Sequence, residues 1–105
     1  MRLWIDDIRY PPEGWRWIKT VKEAQRICCE YINSKNELEI ELISLDHDAG
    51  DYKPDYIEFL NWLEFKQEVC EWKINTIFLI HSMNAVGAER MRQIIRRNNW
   101  KEVLS

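Results

Sequence analysis

Apolar residues come in short runs that stop abruptly at ionisable side chains. Leu42-Ile43-Ser44-Leu45 ends in Asp46-His47-Asp48, Leu3-Trp4-Ile5 ends in Asp6-Asp7, and Ile77-Phe78-Leu79-Ile80 ends in His81-Ser82. Runs without polar alternation predict strands covered on both faces, as in parallel sheets with helices on either side. The stretch from Trp15 to Lys19 instead alternates aromatic or aliphatic with basic residues, which predicts a half-exposed edge strand. Between Asp7 and Trp15, the residues Pro11, Pro12 and Gly14 preclude regular structure, so a stiff loop joins the first two strands.

Helical spacing fills the other intervals. Thr20 to Glu23 matches a capping box, and Val21, Ala24, Ile27, Cys28, Tyr31 and Ile32 form one apolar stripe that Asn33 to Asn36 brings to an end. The third strand then runs from about Glu39 to Leu45. Pro54 suits the first position of a second helix reaching about Trp72. In it Phe59, Leu60, Leu63 and Val69 face the sheet, and Tyr56, Trp62, Phe65 and Trp72 spread aromatic surface wider than one stripe, part of it free to pack a partner. Val86, Met91, Ile94 and Ile95 mark a last helix with Arg90, Arg92, Arg96 and Arg97 on its solvated sides. Trp100 to Leu104 reads as a short tail strand rather than a full fifth strand. The order β-β-α-β-α-β-α is that of a small α/β fold.

Composition narrows the class. A chain of 105 residues is expected to form a single domain over residues 1–105, burying roughly two-thirds of its unfolded surface. A hydrophobic fraction of 46% with six tryptophans implies a folded core, and 31% charged residues imply a soluble exterior. No apolar run approaches the ~20 residues that cross a bilayer and no signal-peptide pattern opens the chain, so a cytoplasmic protein is expected. Cys28, Cys29 and Cys70 have no zinc-ligand spacing and read as free thiols. A net charge of −3 supplies no general attraction for nucleic acid, so binding to long DNA or RNA is not expected.

The chemistry lies at the strand ends, where open parallel sheets bind their ligands. Asp6, Asp7, Asp46, His47, Asp48, His81 and Ser82 are delivered to one edge. Period-two geometry would turn Asp46 and Asp48 to one side and His47 to the other, unless the strand has already ended. Crowded carboxylates raise one another's pKa values or demand a cation. Mg²⁺ suits an all-oxygen set completed by waters and a substrate phosphate, while His47 and His81 as ligands would admit Zn²⁺ or Mn²⁺. The plainer alternatives are solvated acids, helix caps and a core histidine. Two histidines titrating near neutrality suit proton transfer to phosphate oxygens. Ser82 has no nucleophile elbow around it and is better placed to hydrogen-bond phosphate. Asn84 and the amides of Ala85, Val86 and Gly87 stand at a helix N-terminus, an anion site. Arg9 could reach a phosphate over the strand ends or make an ordinary surface ion pair. The glycines fit neither a Walker loop nor a dinucleotide fingerprint.

Three motifs together resemble the cyclic-phosphate-processing receiver-like domains, relatives of response-regulator receivers linked to RNA repair. They are Leu3 to Arg9 followed by Pro11-Pro12 and Gly14-Trp15, Ile43 to Asp51, and Ile80 to Gly87. The resemblance implies a receiver-like (flavodoxin-like) three-layer fold with strand order 2-1-3-4. It implies an active pocket built from Asp6, Asp7, Asp46, His47, Asp48, His81 and Ser82, in which we expect Asp6, Asp7 and Asp46 to hold Mg²⁺ or Mn²⁺ and His47 and His81, beside Asp46 and Asp48, to divide the roles of general base and acid. Arg9, Ser82, Asn84 and Gly87 would bind substrate. The implied activity is metal-assisted hydrolysis of a cyclic phosphate, on an RNA terminus or a small nucleotide. Ala49, Ala85 and Lys53-Pro54-Asp55 depart from the family's usual residues, in loops that bear on substrate choice. An ordinary phospho-accepting receiver would match the acids and Ser82, but the lysine-bearing fifth strand is missing and the histidines would have no role. The alternative is a non-catalytic module that binds a phosphorylated ligand and engages a protein partner through exposed tryptophans.

Overall fold

The computed structural model describes residues 1–103. Its elements are β1 (Arg2–Ile5), β2 (Arg16–Ile18), α1 (Val21–Glu30), β3 (Leu42–Leu45), α2 (Ile57–Val69), β4 (Ile77–Ile80), α3 (Ala85–Arg97) and β5 (Lys101–Glu102), with one 3-10 turn over Gly50–Tyr52. All strands are parallel in the order β2-β1-β3-β4-β5, so the 2-1-3-4 arrangement is present, and the fifth strand expected to be missing is there in short form with Lys101 as its first residue. No helix among the described residues is long and apolar enough to cross a membrane.

The two residues of β5 are placed by what precedes them. Asn99 adopts a left-handed φ of 57° that turns the chain after α3, and Trp100 drops into the core on Phe78, with ring centroids 5.2 Å apart. Its indole N–H donates to Gln67 Oε1 at 2.7 Å, which satisfies the buried polar edge. The tail strand expected over Trp100 to Leu104 is thus two paired residues, and Leu104 lies outside the described ones.

From β2 the chain steps always in one direction across the sheet, to β3, β4 and β5. Right-handed crossovers then put every helix on the same side, and α1 packs on α2 and α2 on α3. Burial follows: Leu3, Ile5, Ile43, Leu45, Phe78 and Ile80 are buried beneath the helices, while Trp4, Leu42, Ile77 and Leu79 on the opposite side are half-buried. The two-sided helical cover expected of a three-layer fold is therefore replaced by helices on one side and the β1–β2 loop on the other. Trp15 meets Trp4 edge-on at 6.0 Å and Tyr10 leans on Trp17 at 4.9 Å. Apolar runs demand cover, but the pattern does not say whether a helix or an aromatic loop supplies it.

Helix boundaries moved where loop chemistry intervened. Thr20 caps α1 by accepting from the Glu23 amide at 3.0 Å, and the Glu23 carboxylate reaches back to the Lys19 amide, one residue earlier than a capping box requires. Pro54 does not open α2, which begins at Ile57. Tyr56 is fully buried before it, its amide donating to His47 O and its hydroxyl to Lys19 O, and this holds the 46–56 loop against the sheet edge. The helix ends at Val69 rather than Trp72, because Glu71 is left-handed at φ 59°. Val69 is exposed instead of facing the sheet. Val86 is also exposed, and Gly87, Ala88, Met91, Ile94 and Ile95 form the buried stripe of α3.

Candidate functional site

At the C-terminal edge of the sheet, Asp6, Asp7 and Asp46 each present an atom within 4.8 Å of the others. β1 and β3 are neighbours in register, with Ile5 opposite Leu45, so their next residues meet. Asp6 is fully buried. Its Oδ1 accepts the amides of Ile8 (2.9 Å) and Arg9 (3.0 Å), which folds the β1–β2 loop over the strand end, and its Oδ2 accepts from His81 Nε2 at 2.9 Å. Burial works to raise its pKa, but the amides of Arg9 and Ile8 and the nearby His81 outweigh it and hold the carboxyl below the ordinary range. Asp7 goes the other way, pushed up by burial and then by the charges of Asp6 and Asp46. Gly50 belongs to this centre too. It sits at φ +57°, and a Cβ there would lie 2.5 Å from Asp7 Oδ2.

This oxygen-only set fits a hard divalent cation. Crowding that raises Asp7 is what a cation would relieve, and Asp7 and Asp46 have the freer oxygens because Asp6 already accepts three hydrogen bonds.

His81 is held at every side. Its Nδ1 takes the Ser44 hydroxyl at 2.7 Å while Nε2 donates to Asp6, and its ring stacks on Trp4 at 3.9 Å and 6°. Trp4, Ser44 and Leu79 are opposite one another in the sheet, and Asp6, Asp46 and His81 follow two residues later on the same, helix-free side. Burial lowers the imidazole's pKa, opposed by Asp6, so the ring is neutral near pH 7. Arg9 completes the clamp, its guanidinium donating to His81 O at 2.7 Å.

His47 occupies a different corner. β3 has ended at Leu45, so strand alternation no longer dictates its direction. Its amide donates to Asp46 Oδ1 at 2.8 Å and its Nδ1–H to Asp48 Oδ1 at 2.8 Å. The His47 hydrogen bond is the largest of the influences that lower the Asp48 carboxyl, and Asn84 Nδ2 adds a second contact at 3.3 Å. The ring is packed against α3 at Gly87, where an added Cβ would clash with it. His47, Asp48 and Asp55 form a second group with donor atoms within 4.8 Å of one another. Among the described residues no hydrogen bond is made by His47 Nε2.

The expected substrate-binding residues are largely spoken for by the protein itself. Ser82 Oγ accepts the Asn84 amide at 3.0 Å, and Asn84 caps α3 by accepting the Gly87 amide at 2.9 Å. Gly87 matters here for the room it leaves His47. Trp4, Ser44, Tyr56 and Gly50 escaped the sequence reading. The first three look like core residues, and the signal was their position two residues before, or in the loop beyond, the acids. None of the six tryptophans is exposed, and the exposed aromatic rings are Tyr10, Tyr52 and Phe65. A concavity of about 340 Å³ is bounded by Thr20, Lys22, Glu23 and Arg26 at the start of α1, and none of the acids or histidines above lines it.

A family profile described as "Cyclic-phosphate processing Receiver domain" matches residues 1–97. Comparison with curated proteins and with solved structures gives no match.

Proposed function

The chain belongs to the cyclic-phosphate processing receiver domain family, and on that footing we propose that it is a metal-assisted phosphoesterase that opens a cyclic phosphate on a small nucleotide or an RNA end. One observation carries the reading: the Asp6, Asp7 and Asp46 centre is joined directly to an oriented histidine–carboxylate pair, through the His47 amide on Asp46 Oδ1.

Hydrolysis adds water across one P–O bond of the ring, so a proton must leave the water and another must reach the departing alkoxide oxygen. Asp48, by accepting Nδ1–H, fixes the His47 tautomer that leaves Nε2 with a lone pair. Nε2 takes the water's proton as the new P–O bond forms and returns it to the alkoxide as the old one breaks. His81 has both ring nitrogens engaged, and its part is to hold Asp6 and the β1–β2 loop. Mg²⁺ or Mn²⁺ held by Asp7 and Asp46, with Asp6 behind them, would supply positive charge against the phosphate oxygens.

A second reading is a module that binds a phosphorylated ligand without turnover, and the closed hydrogen-bonding of His81, Ser82 and Asn84 favours it. Incubation with 2′,3′-cyclic nucleotides and cyclic-ended RNA oligomers, with and without Mg²⁺ or Mn²⁺, separates the two. The phosphoesterase reading expects metal-dependent ring opening of at least one class. Saturable binding with no product from either would leave the binding module.

A further inference from the structure

Apolar exposure on this molecule is concentrated at the site. Of the nine large apolar side chains exposed among the described residues, four (Ile8, Tyr10, Tyr52 and Met83) lie in the three loops around the carboxylates and a fifth, Val86, in the first turn of α3 beside them, so the rim is built to meet something less polar than water.

On the β2 side this rim is an ordered stack. The Trp17 indole N–H donates to the Asp6 carbonyl at 2.8 Å, anchoring the ring to the backbone of the carboxylate centre. Tyr10 leans on Trp17 at 4.9 Å, and the Lys19 ammonium stands 4.4 Å over the Trp17 ring and 5.8 Å from that of Tyr52. Tyr10 is nonetheless 83% exposed, with Trp17 behind it. A pre-set aromatic face of this kind, backed by a cation and continuous with a phosphate-handling centre, is the surface on which nucleic-acid bases stack.

We infer that Tyr10, supported by Trp17, Lys19 and Tyr52, is a base-stacking subsite, and that the cyclic phosphate handled here is carried on a nucleoside. The inference rests on the proposed cyclic-phosphate chemistry for its substrate but not for its binding test. Trp17 ties this face to the backbone of Asp6, so a base carried on a nucleoside cyclic phosphate bound at the carboxylate centre would meet Tyr10. Stacking on a ring face reads area rather than base edges, so adenine and guanine are favoured over cytosine and uracil without selection of one base.

The test compares 2′,3′-cyclic AMP with 1,2-cyclic glycerol phosphate, which has the same ring and no base, on the wild type, Tyr10→Ala and Tyr10→Phe. The wild type should show a KM lower for the nucleotide by about 5- to 100-fold. Tyr10→Ala should erase most of that ratio through KM rather than kcat, and Tyr10→Phe should keep it. Equal KM values in the wild type, or an unchanged ratio in Tyr10→Ala, would overturn the subsite while leaving hydrolysis intact and the rim as a protein-contact surface. If neither compound is turned over, titration with 3′-AMP followed by tryptophan fluorescence decides. Binding weakened in Tyr10→Ala and preserved in Tyr10→Phe supports the subsite although the phosphoesterase reading has failed, and binding that is absent or indifferent to Tyr10 overturns it.

Discussion

Gly87 sits inside a helix, where alanine would ordinarily gain about 1 kcal/mol in helix propensity. Here a Cβ would strike the His47 ring at 2.4 to 2.7 Å, and overpacking of that kind costs about 1–3 kcal/mol. Gly87→Ala should therefore destabilise, or relocate His47 and lower turnover, and chemical denaturation alongside kcat would tell which. A variant both more stable and fully active would contradict the placement of His47. The two histidines should also part company. His47→Ala removes the group with a free ring nitrogen and should lower kcat by about 10²–10⁴-fold. His81→Ala leaves the Ser44 hydroxyl and an Asp6 oxygen without their partner and unseats Trp4, which should cost about 2–4 kcal/mol in unfolding free energy. Sequence placed both histidines at strand ends, but tertiary contacts give one both nitrogens bonded and leave the other with one open, and spacing along the chain carries no trace of that.

Among the elements, the helix starts were the most legible. Thr20 and Glu23 announced α1, because a cap is local chemistry. Pro54 misled because the loop before α2 is held by Tyr56, whose partners Lys19 and His47 are remote in sequence or lie in the neighbouring loop. The arginines of α3 are more specific than a solvated face. Arg97 donates twice to Glu64 of α2 at 2.7 Å, and Asn98 adds a third bond to the same carboxylate at 2.6 Å. Arg97 is the largest influence holding Glu64 below its ordinary 4.5. The stabilisation from this tie is thus fully present above that pH and is lost as acid carries the pH down through the lower, folded value. Glu64→Gln should be less stable than the wild type near neutrality, with the gap narrowing as the pH falls below 4.5. A gap that stays constant across the acid limb would mean that the pair does not titrate as described.

For the molecule as a whole, strand order was readable and the side of the sheet was not. The order was carried by the resemblance of the three motifs, and only the alternating run from Trp15 to Lys19 marked an edge strand by its own pattern. Continuous apolar strands on the helix-free side are equally consistent with a loop roof of Trp15, Arg9 and Tyr10, and only the packing decides. The same architecture concentrates negative charge at one edge, where Asp7 is pushed up by burial and by its neighbours. Asp46→Asn should therefore raise the metal-free melting temperature, since it removes a crowded charge while an asparagine Oδ1 still accepts the His47 amide. Added Mg²⁺ or Mn²⁺ should stabilise the wild type by mass action and the variant far less. Equal metal-induced shifts in the two proteins would remove Asp46 from the cation site.

Chemistry at the cyclic ester is followed most directly by ³¹P NMR of a 2′,3′-cyclic nucleotide incubated with the protein and Mg²⁺ or Mn²⁺. The cyclic resonance should give way to that of a ring-opened monophosphate ester, chelation should stop the conversion, and His47→Ala should slow it by about 10²–10⁴-fold. A cyclic resonance unchanged in the presence of the wild type and metal, or one lost as fast with His47→Ala as with the wild type, would contradict the phosphoesterase reading.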